Sequence, residues 1–370
     1  MLEIHRLRQH NIRALAQRLH ARTNDMMFAA GSEVFIRPMT RLVIACAALL
    51  LATQPLAAST LFVDPLFGVS VTNDVQYGSS LTGLGVNLPR FLDLYSPTQL
   101  GMGPAVPTVK PVIVLMHGGA FVSGDKGSTT MQTLANAFAS RGYVAASINY
   151  RLLLDDDFPS GPGMSTGTDP ARDPAFLDPL LTDAGATREQ FNNEIDAAVA
   201  DQAMAVNFFA ANAAMFGINP NMIAVGGYSA GAVGSLLLGV GAIDGVSANV
   251  GAVLSLAGGL FGRETAMDPS DPAVFFVHGT LDETVPAIEA DFLDSALDTQ
   301  GVPHIRISLP GEGHSSGPLT TAALDPANGL FQFTINQLNA NAVPEPSSVV
   351  LLALGAMGVA GHRRRRRTAA

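Results

Sequence analysis

The chain has 370 residues, 48% of them apolar and 14% charged, which suits a large buried core and argues against global disorder. Residues 59–346 carry 9 Lys/Arg against 28 Asp/Glu, a net charge of −19, so this body repels nucleic acid and anionic lipid and is not expected to bind DNA or RNA. Cys46 is the single cysteine, which excludes a disulfide framework and a cysteine-based metal site.

In chain order, Met39-Thr40-Arg41 leads into the apolar run 42–52 and then into Gln54-Pro55-Leu56-Ala57-Ala58-Ser59. A positive start, an apolar stretch and a small-residue exit describe a bacterial secretory signal. Residues 1–58 therefore read as an N-terminal extension and signal peptide, with 1–38 either an over-long charged region or an upstream start. A buried core helix accounts less well for Thr40-Arg41 and the alanine-rich exit. Val43-Ile44-Ala45-Cys46 resembles a lipobox, but little apolar chain separates it from Met39.

Residues 59–340 alternate strand-like runs with helical patterns, which predicts βαβ units on a mostly parallel sheet. Residues 61–95, rich in Gly, Thr and Asn, read as antiparallel edge strands. Strands are predicted at 112–116 and 143–148, with an amphipathic helix over 131–141 between them, on Leu134 and Phe138. Residues 152–187 lack periodicity and read as a long loop able to cover a cleft. Its Asp155-Asp156-Asp157 run reads as solvated charge rather than a calcium site. A long helix is predicted over 189–216, where Phe191, Ile195, Val199, Ala203, Val206 and Phe209 trace one core-facing stripe. Further strands are predicted at 222–225, 252–256, 273–277 and, by its alternation, 304–309. Helices are predicted at 233–238, 288–297 and around 330–338.

Gly227-Tyr228-Ser229-Ala230-Gly231 falls between a predicted strand and a predicted helix. A turn this tight forces Ser229 to positive φ and leaves no room for side chains two residues to either side. It exposes the Ser229 hydroxyl and aims the Ala230 N–H at a reacting carbonyl oxygen. His117-Gly118-Gly119-Ala120-Phe121 follows the 112–116 strand and offers further amides. Gly119 and Ala120 are the expected donors and Gly118 shapes the turn, while His117 is expected to anchor the loop. A serine needs a base, here a histidine downstream. His362 lies in the terminal tail, His304 on the polar side of a strand, and His278 ends a strand. His314, in the glycine-flanked loop Gly311-Glu312-Gly313-His314, is the candidate best able to reach Ser229. Asp282, in the tight loop after 273–277, is the candidate carboxylate; its rival Glu283 should turn outward.

Two resemblances rest on these residues. Val343-Pro344-Glu345-Pro346, the apolar run 349–361 and the arginines 363–367 resemble the PEP-CTERM sorting signal, assigned here to 341–370. That resemblance implies export to the bacterial cell envelope or extracellular surface and processing by an exosortase-type membrane enzyme. Contact with the membrane is then through the terminal signals only. A plain tail anchor is the alternative. The stretch from Leu92-Asp93-Leu94-Tyr95-Ser96-Pro97 to His314 resembles the α/β-hydrolase carboxylesterases, near their hormone-sensitive-lipase-like and feruloyl-esterase-like members. The His-Gly-Gly loop, Ser147-Ile148-Asn149-Tyr150-Arg151-Leu152, the Gly-x-Ser-Ala-Gly turn and His278-Gly279-x-x-Asp282-x-x-Val285-Pro286 carry it. It departs from the family in reading His-Gly-Gly-Ala rather than three glycines, and its Asp and His loops are closer to dienelactone hydrolases and prolyl-peptidase-type enzymes.

What the resemblance implies is an α/β-hydrolase fold, with a mostly parallel central sheet flanked by helices. The implied activity is hydrolysis of small-molecule or polymeric carboxylic esters through an acyl-serine, with no cofactor or metal. A peptidase with the same three residues would be expected to carry a propeller or a large cap, and the chain has no room for a propeller. A catalytically inactive surface-binding protein is the other alternative.

Overall fold

The computed structural model describes residues 60–82, 85–153 and 169–342. Their centre is an eight-stranded sheet: β1 (Gly68–Leu81), β2 (Asn87–Thr98), β3 (Lys110–Met116), β4 (Val144–Ile148), β5 (Ile218–Tyr228), β6 (Ala252–Leu256), β7 (Ala273–Gly279) and β8 (His304–Leu309), ordered β1-β2-β4-β3-β5-β6-β7-β8. β1 pairs β2 and β2 pairs β4 antiparallel; every later pairing is parallel. Eight helices of the described residues accompany it: α1 (Thr129–Ala139), α2 (Leu177–Ala184), α3 (Arg188–Ala211), α4 (Ala213–Phe216), α5 (Ala230–Gly239), α6 (Ile288–Gln300), α7 (Ser316–Leu324) and α8 (Leu330–Ala342).

The inner strands are apolar on both faces because helices cover both. Along β3, Val112, Val114 and Met116 pack with Val199, Val206 and Leu236 of α3 and α5. Ile113 and Leu115 pack on the opposite face with Leu134, Phe138, Leu319 and Leu338 of α1, α7 and α8. β8, at the sheet edge, shows no clean alternation. Its apolar residues are only half-buried, and Arg306 pairs with Asp291 and Asp294 of α6 at 2.6 and 3.0 Å.

Three expectations need correction. Residues 152–187 are not all loop: a short 3-10 turn, Pro170–Arg172, precedes α2. The periodicity there was hidden because α2 has little more than two turns, contains Pro179 and ends on the left-handed Gly185. The helix expected over 189–216 divides at Asn212, whose φ of −108° leaves the helical region. α7, directly after His314, was not anticipated; Gly317 and Pro318 open it, and its apolar residues trace no single stripe. The secretory signal at 1–58, the Asp155-Asp156-Asp157 run and the residues from 343 onward lie outside the described residues. Among the described residues, no helix is long and apolar enough to cross a membrane.

Candidate active site

The parallel strands end at one edge, and loops leaving their C-terminal ends build a site there, as open α/β sheets generally do. β5 passes into α5 through Ser229, held at φ 56° and ψ −124°. For a non-glycine residue this is a strained conformation. It is fixed by a 2.9 Å bond from the Ser229 amide to the Leu256 carbonyl and by Ser229's own carbonyl accepting from Ala232 and Val233. A Cβ at Gly231 or at Gly227 would overlap the Met116 carbonyl oxygen, so both positions in the turn are confined to glycine by close approach of β3.

The loops after β7 and β8 complete a hydrogen-bonded chain. His314 Nε2 lies 2.8 Å from Ser229 Oγ, and His314 Nδ1 lies 2.7 Å from Asp282 Oδ2. The other oxygen of Asp282 accepts the amides of Thr284 and Val285, each at 2.9 Å. The buried carboxylate is thus held by its own loop as well as by the imidazole, while Glu283 points to solvent. A buried carboxylate bonded to Nδ1 favours the tautomer whose Nε2 is free to accept a proton from a hydroxyl.

Two neighbours stiffen this chain. The Tyr228 hydroxyl donates to the His314 carbonyl at 2.5 Å, with the two rings 5.2 Å apart. Burial, followed by the Asp282 charge, pushes that phenol up to about 12, so it remains a donor through the neutral range. His278 Nε2 donates to the Val285 carbonyl at 3.0 Å and lies 3.5 Å from Asp282 Oδ2. Burial holds its pKa below the ordinary imidazole value.

Gly118, Gly119 and Ala120 lie opposite. A Cβ on Gly118 would stand only 3.0 Å from that of Ser229. Gly119, Ala120 and Phe121 all have positive φ, of 126°, 55° and 59°. The amides of Gly118, Gly119 and Ala120 donate to no acceptor among the described residues. His117 braces this loop: Nδ1 bonds the Gly118 carbonyl at 2.8 Å, and the ring stacks on Tyr150 at 4.4 Å. The Tyr150 hydroxyl closes the brace with a 2.8 Å bond to the His117 carbonyl.

The structure brings Ser229, His314 and Asp282 together; Ala120 and Ala230 line a pocket with Ser229, Gly118 lies against the Ser229 side chain, and Gly119 follows it in the same loop. Tyr150 and Tyr228, which brace them, were not singled out for a role in advance. An apolar pocket beside Ser229 was also missed. Phe121, Phe176, Leu177, Phe191, Phe261 and Val285 are among its walls. Phe191, on the core-facing stripe of α3, serves both the core and this pocket. Among the described residues no cluster of three or more His, Cys, Asp or Glu is placed to hold a metal ion.

Comparison with known proteins gives the same architecture. The BD-FAE family matches residues 92–161, and the PEP-CTERM protein-sorting motif matches 342–366. None of the curated proteins matches the chain. Among solved structures, a truncated carbohydrate esterase from gut microbiota is 18% identical, with a TM-score of 0.51, over 73% of this chain and 98% of that one. A phosphoramylated form of Thermogutta terrifontis esterase 2 is 17% identical, with a TM-score of 0.51, over 73% and 95%. A bifunctional GH43-CE protein of Bacteroides eggerthii is 20% identical, also at 0.51, over 71% of this chain but only 38% of that longer one. At such identities the likeness is one of fold. With its mostly parallel sheet and flanking helices, the chain has the α/β-hydrolase fold, and its residues 342–366 match the PEP-CTERM sorting motif.

Proposed function

We propose that this protein is an exported serine esterase that hydrolyses carboxylic esters through an acyl-serine. The observation that carries the reading is the continuous bonding of Asp282, His314 and Ser229, at 2.7 and 2.8 Å. Ser229 Oγ attacks the ester carbonyl as its proton passes to His314 Nε2. The oxyanion that develops is met by the amides of Gly119, Ala120 and Ala230, with Gly118 setting the turn. His314 returns the proton to the leaving alcohol, which departs and leaves an acyl-serine. Water then attacks that ester with His314 again as base, releasing the acid and restoring the serine. Asp282 holds the imidazole orientation and faces the cation formed at each step.

The domain limits go with this reading. Residues 1–58 are the export signal and its extension, 59–340 the hydrolase, and 341–370 the tail on which an exosortase-type enzyme acts. The strained Ser229 and the loop amides of Gly118, Gly119 and Ala120, which have no acceptor among the described residues, support esterase chemistry over a binding role, because a surface-binding protein has no use for either.

The test is labelling with a fluorophosphonate probe together with hydrolysis of p-nitrophenyl acetate. The wild-type chain should label and hydrolyse. Ser229→Ala should abolish labelling and lower kcat by roughly 10⁴-fold or more while the chain still folds. Undiminished hydrolysis by Ser229→Ala removes Ser229 from the mechanism.

A further inference from the structure

The pocket beside Ser229 is small. Its cavity volume is about 60 Å³, well under the roughly 150 Å³ of an apolar cavity that takes up benzene. Ser229, Ala120 and Ala230 are among its walls. His314, which must face the leaving oxygen to return a proton, is not among its walls. The pocket therefore belongs to the acyl side of an ester.

Two parts of its wall share one fastening. Phe176 and Leu177 arrive at the start of α2, and Phe261 from the stretch after β6. Arg172 grips two carboxylates at once. It bonds both oxygens of Glu264 at 2.9 and 2.7 Å, and both oxygens of Glu289 at 2.8 and 2.6 Å. Its guanidinium also stacks 4.1 Å above the ring of Phe292. Glu289 is fully buried, and its Oε2 accepts the Phe261 amide at 3.1 Å. The Phe261 carbonyl in turn accepts the Asp169 amide at 2.8 Å. Asp173, next along the chain, pairs with Arg188 at the start of α3. The short run from Asp169 to Leu177 is thus tied to the Phe261 loop, to α6 and to α3, with Arg172 as the common knot. Among the described residues, Arg172, Glu264 and Glu289 make no hydrogen bond to Ser229 or His314.

We infer that Arg172, held by Glu264 and Glu289, is the positioning residue that fixes the acyl-pocket wall and confines the enzyme to short aliphatic acyl groups. The inference rests on the esterase reading and makes it narrower: aryl-propenoyl and long-chain esters are excluded by size. A guanidinium is needed because its planar fork spans two carboxylates, which a lysine ammonium cannot do with the same geometry.

The experiment measures kcat and KM for p-nitrophenyl acetate, butyrate and hexanoate with the wild type, Arg172→Lys and Arg172→Gln. The wild type should lose about tenfold or more in kcat/KM between butyrate and hexanoate. Arg172→Gln should raise the hexanoate-to-acetate ratio of kcat/KM by about tenfold, mainly through a lower KM for hexanoate, with acetate kcat changed less than about threefold. Arg172→Lys should fall between the two. If a folded Arg172→Gln keeps the wild-type ratio, or loses both esters in equal proportion, the assignment is overturned. Should Arg172→Gln fail to fold, Glu264→Gln removes one of the two carboxylate grips and must shift the ratio in the same direction. Fluorophosphonate labelling of the wild type separates the two proposals. No labelling defeats the esterase reading itself, whereas normal labelling with equal rates on acetate and hexanoate defeats only the size limit.

Discussion

Asp282 shows how much one side chain is asked to do. One oxygen takes two backbone amides of its own loop and the other takes the imidazole. An asparagine cannot satisfy both sides. If its oxygen faces His314, its amide group faces the Thr284 and Val285 N–H groups; turned over, it offers His314 a donor and forces the wrong tautomer. Asp282→Asn should therefore lower kcat by about 10⁴-fold on p-nitrophenyl acetate with little change in KM. A loss of less than about tenfold would mean that another group orients the imidazole. At this scale much of the candidate site was legible. Glycine spacing announces the strained turn at Ser229, because backbone sterics act within five residues. The braces from Tyr150 and Tyr228 were not legible, since each depends on a loop that only the fold brings near. Nor was the double use of Phe191, which a helical stripe assigns to a face but not to a cavity at that face.

Elements built on short, continuous apolar runs were the easiest to read, and β3, β6 and β7 lie within two residues of expectation. Helices whose identity comes from tertiary context were not. α2 and α7 are short, each carries a proline, and they gain their stability by covering neighbours rather than from their own pattern. The N-terminus of α3 has a local signal: Thr187 and Gln190 form a reciprocal capping box, with bonds of 3.2 and 2.7 Å. Thr187→Ala should cost about 1 kcal/mol in urea unfolding. It should leave Ser229 labelling intact, because the cap lies a full turn before Phe191. An unchanged urea midpoint would show that tertiary packing alone holds that end of the helix.

At the scale of the whole molecule, acid is the weak side. His117 and His278 are both buried, and burial holds each pKa below the ordinary value of 6.5. The unfolded chain therefore binds these protons at higher pH than the folded one. Stability is present in full above about pH 6.5 and is lost progressively as pH falls through that value toward the depressed folded pKa values. A Tm profile from pH 8 to pH 5 should be flat at first and then decline, and His117→Gln should decline less. An equal decline in the variant would take His117 out of the acid sensitivity. Composition could give the sign of the body's charge but not these two residues, because nothing local marks a histidine as buried.

The last helix has a consequence for how the molecule is presented. Near its end, Asn341 donates to the carbonyl of Asn221 at 2.8 Å, beside the beginning of β5, whereas Ser229 follows that strand's other end. Seven residues of extended chain separate those two points by about 20 Å or more. The sorting motif starts at residue 342, so whatever grips the tail takes hold of the far pole of the domain. On the exported-esterase reading proposed above, an anchor on that tail would sit at the opposite end of β5 from Ser229.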